Sequence, residues 1–165
     1  MSEGLAWHYT LGQSVLETYR AGHIRAAPLA WFSTRPGVEP SCRRMIVMAG
    51  RARLLSLGEL RRLGAGWFRL GLPVAEVLPA EVARERAGVS RDAWRLTVRR
   101  ARTLGADLGQ WFATLEAVDV ASCRLQRRDA HPIRGQWQEI PDPRAWLSNR
   151  LDEEFAAAWR RLMTA

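Results

Sequence analysis

Lysine is absent: all 25 basic residues are arginine, and against 17 acidic residues they leave a formal net charge of +8. A lysine-free chain reflects codon bias before it reflects chemistry, but the planar guanidinium fork does suit phosphates and carboxylates. The charge permits a nucleic-acid or nucleotide partner without demanding one. Cysteine is scarce. Cys42 and Cys123 cannot build a disulfide framework, which makes a reducing cytoplasm the expected setting. His8, His23 and His131 show no CxxC or HExxH spacing with them, so no metal site is expected. Apolar runs such as Met45 to Ala49 are too short to cross a bilayer, and Met1-Ser2-Glu3-Gly4 does not open like a secretory signal, so a soluble protein with no membrane partner is expected. There is no Walker loop and no GxSxG elbow, and Gly64-Ala65-Gly66 precedes a strand where a dinucleotide fingerprint would follow one.

What the chain does have is ordinary globular material: 165 residues, 47% hydrophobic and 25% charged, with eight tryptophans to fill a core. No repeat or linker divides it, and a single domain over residues 1–165 is expected. Leu5 to Thr10 reads as a strand, residues 13–21 as a helix closed by Gly22, and Ala30 to Thr34 as a second strand ended by Arg35-Pro36-Gly37. Arg44 to Ala49 is a candidate third strand. Ser56 and Glu59 have capping-box spacing before a helix that ends near Gly64. Trp67 to Leu72 is another strand, residues 79–87 and 90–104 are helices, and Ser90 is the N-cap of the second. Gln110 to Glu116 alternates like a strand, with residues 122–126 and 136–140 expected beside it. A final helix spans about 144–162, with Trp146, Leu147, Leu151, Phe155 and Trp159 on or near one face. Strands and helices intersperse without regular βαβ alternation, so the class is α+β.

Three segments carry candidate chemistry. Alternation in the first strand places His8 and Thr10 on one face and Trp7 and Tyr9 on the other; the aromatic pair is expected to pack the core while His8 and Thr10 are presented. Trp31-Phe32-Ser33-Thr34 is aromatic and then hydroxylic, and the late strand ends on Glu116. A ring nitrogen, a hydroxyl with an aromatic platform and a carboxylate are the parts needed to hold a ribose and stabilise positive charge on its anomeric carbon. Each also has a structural reading: a packed histidine, core aromatics, a turn-forming Ser33 and a solvated edge carboxylate.

A first strand reading aromatic-His-Tyr-Thr, a helix of about ten residues, Gly22-His23-Ile24 and a second strand with Ser33-Thr34 together resemble the ADP-ribosyltransferase superfamily. More closely, WHYT, WFST…EP and AGVS…GADLGQWFATLE are similar to a set of small bacterial and phage proteins, over roughly residues 5–120. The superfamily resemblance implies a split β-sheet core with flanking helices, and an enzyme that cleaves the nicotinamide–ribose bond of NAD and transfers ADP-ribose. It implies that His8 bonds the ribose hydroxyls, that Tyr9, Thr10 and Ser33 support the pocket, that Trp31 or Phe32 stacks near the nicotinamide, and that Glu116 stabilises the oxocarbenium-like state. Two positions depart from the family. Trp31 and Phe32 stand where the histidine-type branch carries a tyrosine, and Thr114 stands where arginine-directed members place Glu or Gln. A nucleic-acid base, a small molecule or water is then the expected acceptor. Glu39, in the loop Gly37-Val38-Glu39-Pro40, is an alternative acid.

The helix from Ser90 carries Arg91, Arg95, Arg99 and Arg102 on one narrow face, with Ala93, Trp94, Thr97, Ala101 and Leu104 roughly opposite. Such a stripe can track a phosphate backbone or simply be a solvated face. The cluster Arg124, Arg127 and Arg128 has the same ambiguity. A non-catalytic Arg-rich nucleic-acid-binding module is therefore the main alternative to the enzyme, and RNA 2′-phosphotransferase-like chemistry is a third.

Overall fold

A computed structural model describes residues 4–43, 45–48, 51–63, 66–128, 136–148 and 157. It is an α+β structure organised by one seven-stranded sheet. In chain order the elements are β1 (Leu5–Leu11), α1 (Gly12–Ala21), β2 (His23–Ile24), β3 (Ala30–Ser33), β4 (Met45–Met48), β5 (Arg51–Leu54), α2 (Leu57–Leu63), β6 (Trp67–Pro73), β7 (Leu78–Pro79), α3 (Ala80–Arg86), α4 (Arg91–Thr103), β8 (Trp111–Thr114), β9 (Val118–Asp119), β10 (Arg124–Arg128) and β11 (Trp137–Glu139). The main sheet runs β11-β10-β6-β1-β3-β8-β7, with β2-β9 and β4-β5 as separate pairs. Every paired neighbour is antiparallel.

Local signals set the element ends. Gly22 follows α1 in the left-handed region at φ 79°, where a Cβ would be strained. Ser56 and Glu59 cap α2 reciprocally: the Glu59 amide donates to Ser56 Oγ at 3.2 Å and the Ser56 amide to Glu59 Oε2 at 2.8 Å. Ser90 caps α4 by accepting from the Ala93 amide at 3.2 Å. Two strand expectations need correction. The late strand stops at Thr114, and β10 joins the sheet beside β6, with β11 outside β10, rather than either lying beside β8. The physical reason is register: alternation marks a strand but carries nothing about its neighbour. The C-terminal helix is helical over residues 143–148, and most of the rest of its expected span lies outside the described residues. So does His131.

Cross-strand register assigns the two faces. Ala6 opposes Leu72, His8 opposes Leu70 and Thr10 opposes Phe68 on one; Trp7 opposes Gly71, Tyr9 opposes Arg69 and Leu11 opposes Trp67 on the other. The first face holds the main apolar core, where Ala6, Phe68, Leu70, Leu72 and Leu125 pack with Val15 of α1. Each buried Phe or Leu contributes about 1.5–3 kcal/mol over an exposed one. The second face is aromatic and polar, and it carries the cleft. The expected assignment of faces is thus reversed: His8 and Thr10 share the face of the apolar core, while Trp7 and Tyr9 line up on the face of the cleft. Both faces of a central strand are covered, so alternation shows which residues travel together but not where they go.

Candidate functional site

Two features open a hollow on the second face. β1 and β3 are joined by one residue pair, Trp7 with Ser33, whereas β1 and β6 pair along their full length. Where the β1–β3 ladder stops, His8 takes over: its Nδ1 donates to the Trp31 carbonyl at 2.9 Å, fixing the ring and its tautomer. The chain leaving β3 then loops outward through residues 34–43 and returns as a 3-10 turn, Pro40–Cys42. That turn contacts α4, which roofs the space.

The resulting cleft has a volume of about 440 Å³, within the range of small-molecule sites. Its floor comes from β1 and β3, one wall from Glu39, Ser41, Cys42 and Arg43, the other from Thr97, Arg100 and Ala101 of α4 and Leu104 just after it, with Trp31, Trp67 and Trp111 between. Trp31 is built into an aromatic stack, parallel to Trp94 at 5.8 Å and tilted against Trp111 at 5.5 Å. Trp94 Nε1 donates to Glu81 Oε1 at 2.6 Å, tying α4 to α3 behind that stack.

The central ionisable group is Glu39, only 4% exposed. Ser33 Oγ donates to its Oε2 at 3.0 Å, and Ser41 donates to Oε1 from Oγ at 3.1 Å and from the amide at 3.4 Å. Three donors on two oxygens fix the orientation of the carboxylate. Among the described residues no arginine forms an ion pair with it, although Arg43 and Arg100 line the same cleft. Arg43 donates from Nε to the Leu55 carbonyl at 3.0 Å. The Arg100 guanidinium has no hydrogen-bond or ion-pair partner among the described residues, so the carboxylate and the guanidinium groups that line the cleft do not pair with one another. Tyr9 lies under this site, its hydroxyl donating to the Arg35 carbonyl; burial pushes its pKa up to about 12.

The sequence candidates separate cleanly. His8, Tyr9, Thr10, Trp31, Phe32 and Ser33 all border the cleft, although Phe32 belongs to the apolar core. Glu116 does not border it. It is exposed beyond the end of β8, where its carbonyl accepts from Thr114 Oγ1 at 2.9 Å. The acid that meets Ser33 is the alternative, Glu39, while the His8 ring lies on the core face against Phe32. The Ser33 Oγ also accepts from the Arg35 amide at 3.2 Å, the turn contact expected of it. Sequence reasoning passed over Arg43, Trp67, Arg100 and Trp111 as site residues. The available signal was Glu39-Pro40-Ser41 itself, an N-cap acid followed by proline at the first helical position.

On α4, Arg91, Arg95, Arg99 and Arg102 are exposed, with Arg95 3.8 Å from Asp92. Trp94 and Ala101 are buried as expected, but Ala93 is exposed. Among the described residues no group of His, Cys, Asp and Glu is placed to hold a metal ion, and no helix is long and apolar enough to cross a membrane. Comparison with protein-family models, curated proteins and solved structures finds no match to the chain.

Proposed function

We propose that the cleft binds NAD and breaks its nicotinamide–ribose bond as an ADP-ribosyltransferase-like enzyme, with Glu39 rather than Glu116 as the carboxylate at the ribose. The observation that carries the reading is the buried Glu39, held by Ser33 and Ser41 and without a cationic partner among the described residues. As nicotinamide departs with the bonding electrons, positive charge grows on the anomeric carbon. A carboxylate already oriented by fixed donors binds that state more strongly than the ground state and reorganises little as it forms. A pre-existing salt bridge to arginine would blunt the effect.

The rest of the lining suits the same substrate. The stacked tryptophans offer an apolar slot for a flat pyridine ring, and His8 steadies the strand that carries them by donating to the Trp31 carbonyl. Arg43 and Arg100 supply cationic forks to a pyrophosphate. The narrow β1–β3 seam is consistent with a split-sheet core of the ADP-ribosyltransferase type. The acceptor of ADP-ribose is a nucleic-acid base, a small molecule or water.

The test is release of nicotinamide from NAD by the purified chain. Glu39→Gln is expected to lower the rate by about 100-fold or more, while Glu116→Gln leaves it within about twofold of the parent. The opposite ranking returns the role to Glu116. If millimolar NAD gives neither turnover nor a rise in Tm, the enzyme reading is dropped. The alternative, a nucleic-acid-binding module using Arg91, Arg95, Arg99 and Arg102, would instead bind polynucleotides with an affinity that falls steeply with salt and is indifferent to Glu39→Gln.

A further inference from the structure

We infer that Arg69 is a positioning residue: clamped between two indoles, it holds the start of the loop that bears Glu39 and so sets where that carboxylate stands in the cleft. The inference rests on the reading of Glu39 given above and adds the device that aims it.

Arg69 is in the middle of β6 and only 7% exposed. Its guanidinium lies 3.9 Å from the centroid of the Trp7 ring and 4.2 Å from that of Trp137. Nε and Nη2 donate to Gln126 Oε1 at 2.9 and 2.7 Å, across the β6–β10 pair. Nη1 reaches out of the sheet to the Pro36 carbonyl at 3.1 Å. Trp137 Nε1 donates to that same carbonyl at 2.9 Å, and the Tyr9 hydroxyl donates to the preceding one, on Arg35. Side chains from β6, β11 and β1 thus converge on two successive carbonyls, four and three residues before Glu39. Ser33 and Ser41 hold the carboxylate from its other end.

Burying a charge is costly unless it is paired, and Arg69 has no carboxylate partner among the described residues. Two π faces and two oxygen acceptors take that place. An apolar side chain would fill the same space without the desolvation cost, so the use of arginine here points to what its geometry enforces. Only a planar fork can stack between two rings while donating in two directions; lysine cannot. Gly71 completes the device, because a Cβ there would stand 2.5 Å from the Trp7 ring.

The experiment combines amide hydrogen exchange with NAD turnover on the full chain. The Ser41, Cys42 and Arg43 amides report on the loop directly, since they bond the Glu39 carboxylate, the Glu39 carbonyl and the Pro40 carbonyl. In Arg69→Met these amides are expected to exchange at least about tenfold faster, with those of α1 unchanged. The kcat for nicotinamide release falls by about 10- to 100-fold with KM within about threefold, the mark of a misplaced group that acts in the transition state. Arg69→Lys does not restore it. In a Glu39→Gln background Arg69→Met has little further effect, because both changes remove one function. If Arg69→Met fails to fold, Trp137→Leu, on the edge strand, is expected to give the same loop-selective exchange. Unchanged loop exchange, exchange raised evenly across the molecule, or an undiminished kcat effect in the Glu39→Gln background would overturn the inference. A chain that neither binds nor cleaves NAD removes the enzymatic reading, and the exchange comparison then decides by itself whether Arg69 holds Glu39 in place.

Discussion

On one face of the sheet Ala6, Phe68, Leu70 and Leu125 meet α1 in a continuous apolar cluster. One residue along on the same strands, Trp7, Arg69 and Gln126 meet a loop in a lattice of hydrogen bonds and ring contacts. The strands are shared, so the difference lies wholly in what each face must do. Close-packed hydrocarbon is cheap to specify and tolerant of exchange between similar shapes. The second face buries a guanidinium and a carboxylate that do not pair, and it keeps a hollow between them. Such features add little to stability, and they are where function is to be sought.

The comparison is sharpened first by Leu70→Ala. Leu70 is fully buried, and its loss is expected to lower the unfolding free energy by about 2–5 kcal/mol in urea titrations. Gly71→Ala, one residue away, tests the other face. The added methyl would overlap the Trp7 ring, and a loss of about 1–3 kcal/mol from overpacking is expected, with weaker NAD-dependent stabilisation because Trp7 borders the cleft. If Gly71→Ala is neutral in both measurements, the tight stack over Gly71 is not what shapes that face.

A smaller effect separates the faces by pH. Tyr9 on the cleft side and Tyr19 of α1 on the apolar side are both held up to about 12, in each case chiefly by burial. A raised tyrosine pKa leaves stability intact below the unfolded value near 10 and removes it as pH climbs from 10 through 12. The slope is at most about 1.4 kcal/mol per pH unit for each tyrosine. Tyrosinate absorbance should stay low in the folded chain at pH 10.5, and Tyr19→Phe should remove one share of the alkaline slope. Ionisation of either tyrosine near pH 10 in the folded chain would contradict its burial.

The smallest effect is expected at the exposed cap of α2. Glu59 is lowered to about 2, first by the Ser56 amide and then by Arg53, whose Nη1 lies 2.5 Å away. Its contribution is present above the unfolded value near 4.5 and is lost as pH falls through 2. The Tm difference between the parent and Glu59→Gln should therefore be slight at pH 7 and absent below pH 2.

Much of the fold was legible because it is written locally. A histidine-bearing first strand, the glycine after α1, the capping box of α2 and the Ser90 cap of α4 all follow from residues within a few positions of one another. Part of the candidate site was legible for the same reason: Trp31 and Ser33 share one face of a strand whose phase alternation fixes. The acid was harder. Glu116 has the appearance of a strand-end carboxylate, but β8 stops two residues short of it and leaves it in solvent. Glu39 comes into the cleft only because the loop after β3 turns back under α4. Arg69 read as one more arginine in an arginine-rich chain.

The amino-acid order alone therefore determined an α+β chain, the phase of its central strands and the caps of its helices, since each rests on steric and hydrogen-bonding preferences within a turn or a strand. Which face became core, which carboxylate met Ser33, and how a buried guanidinium came to grip the Pro36 carbonyl were decided by tertiary structure. Those outcomes depend on strand neighbours and loop excursions that join residues 33 to 101 positions apart, and no local preference reaches that far.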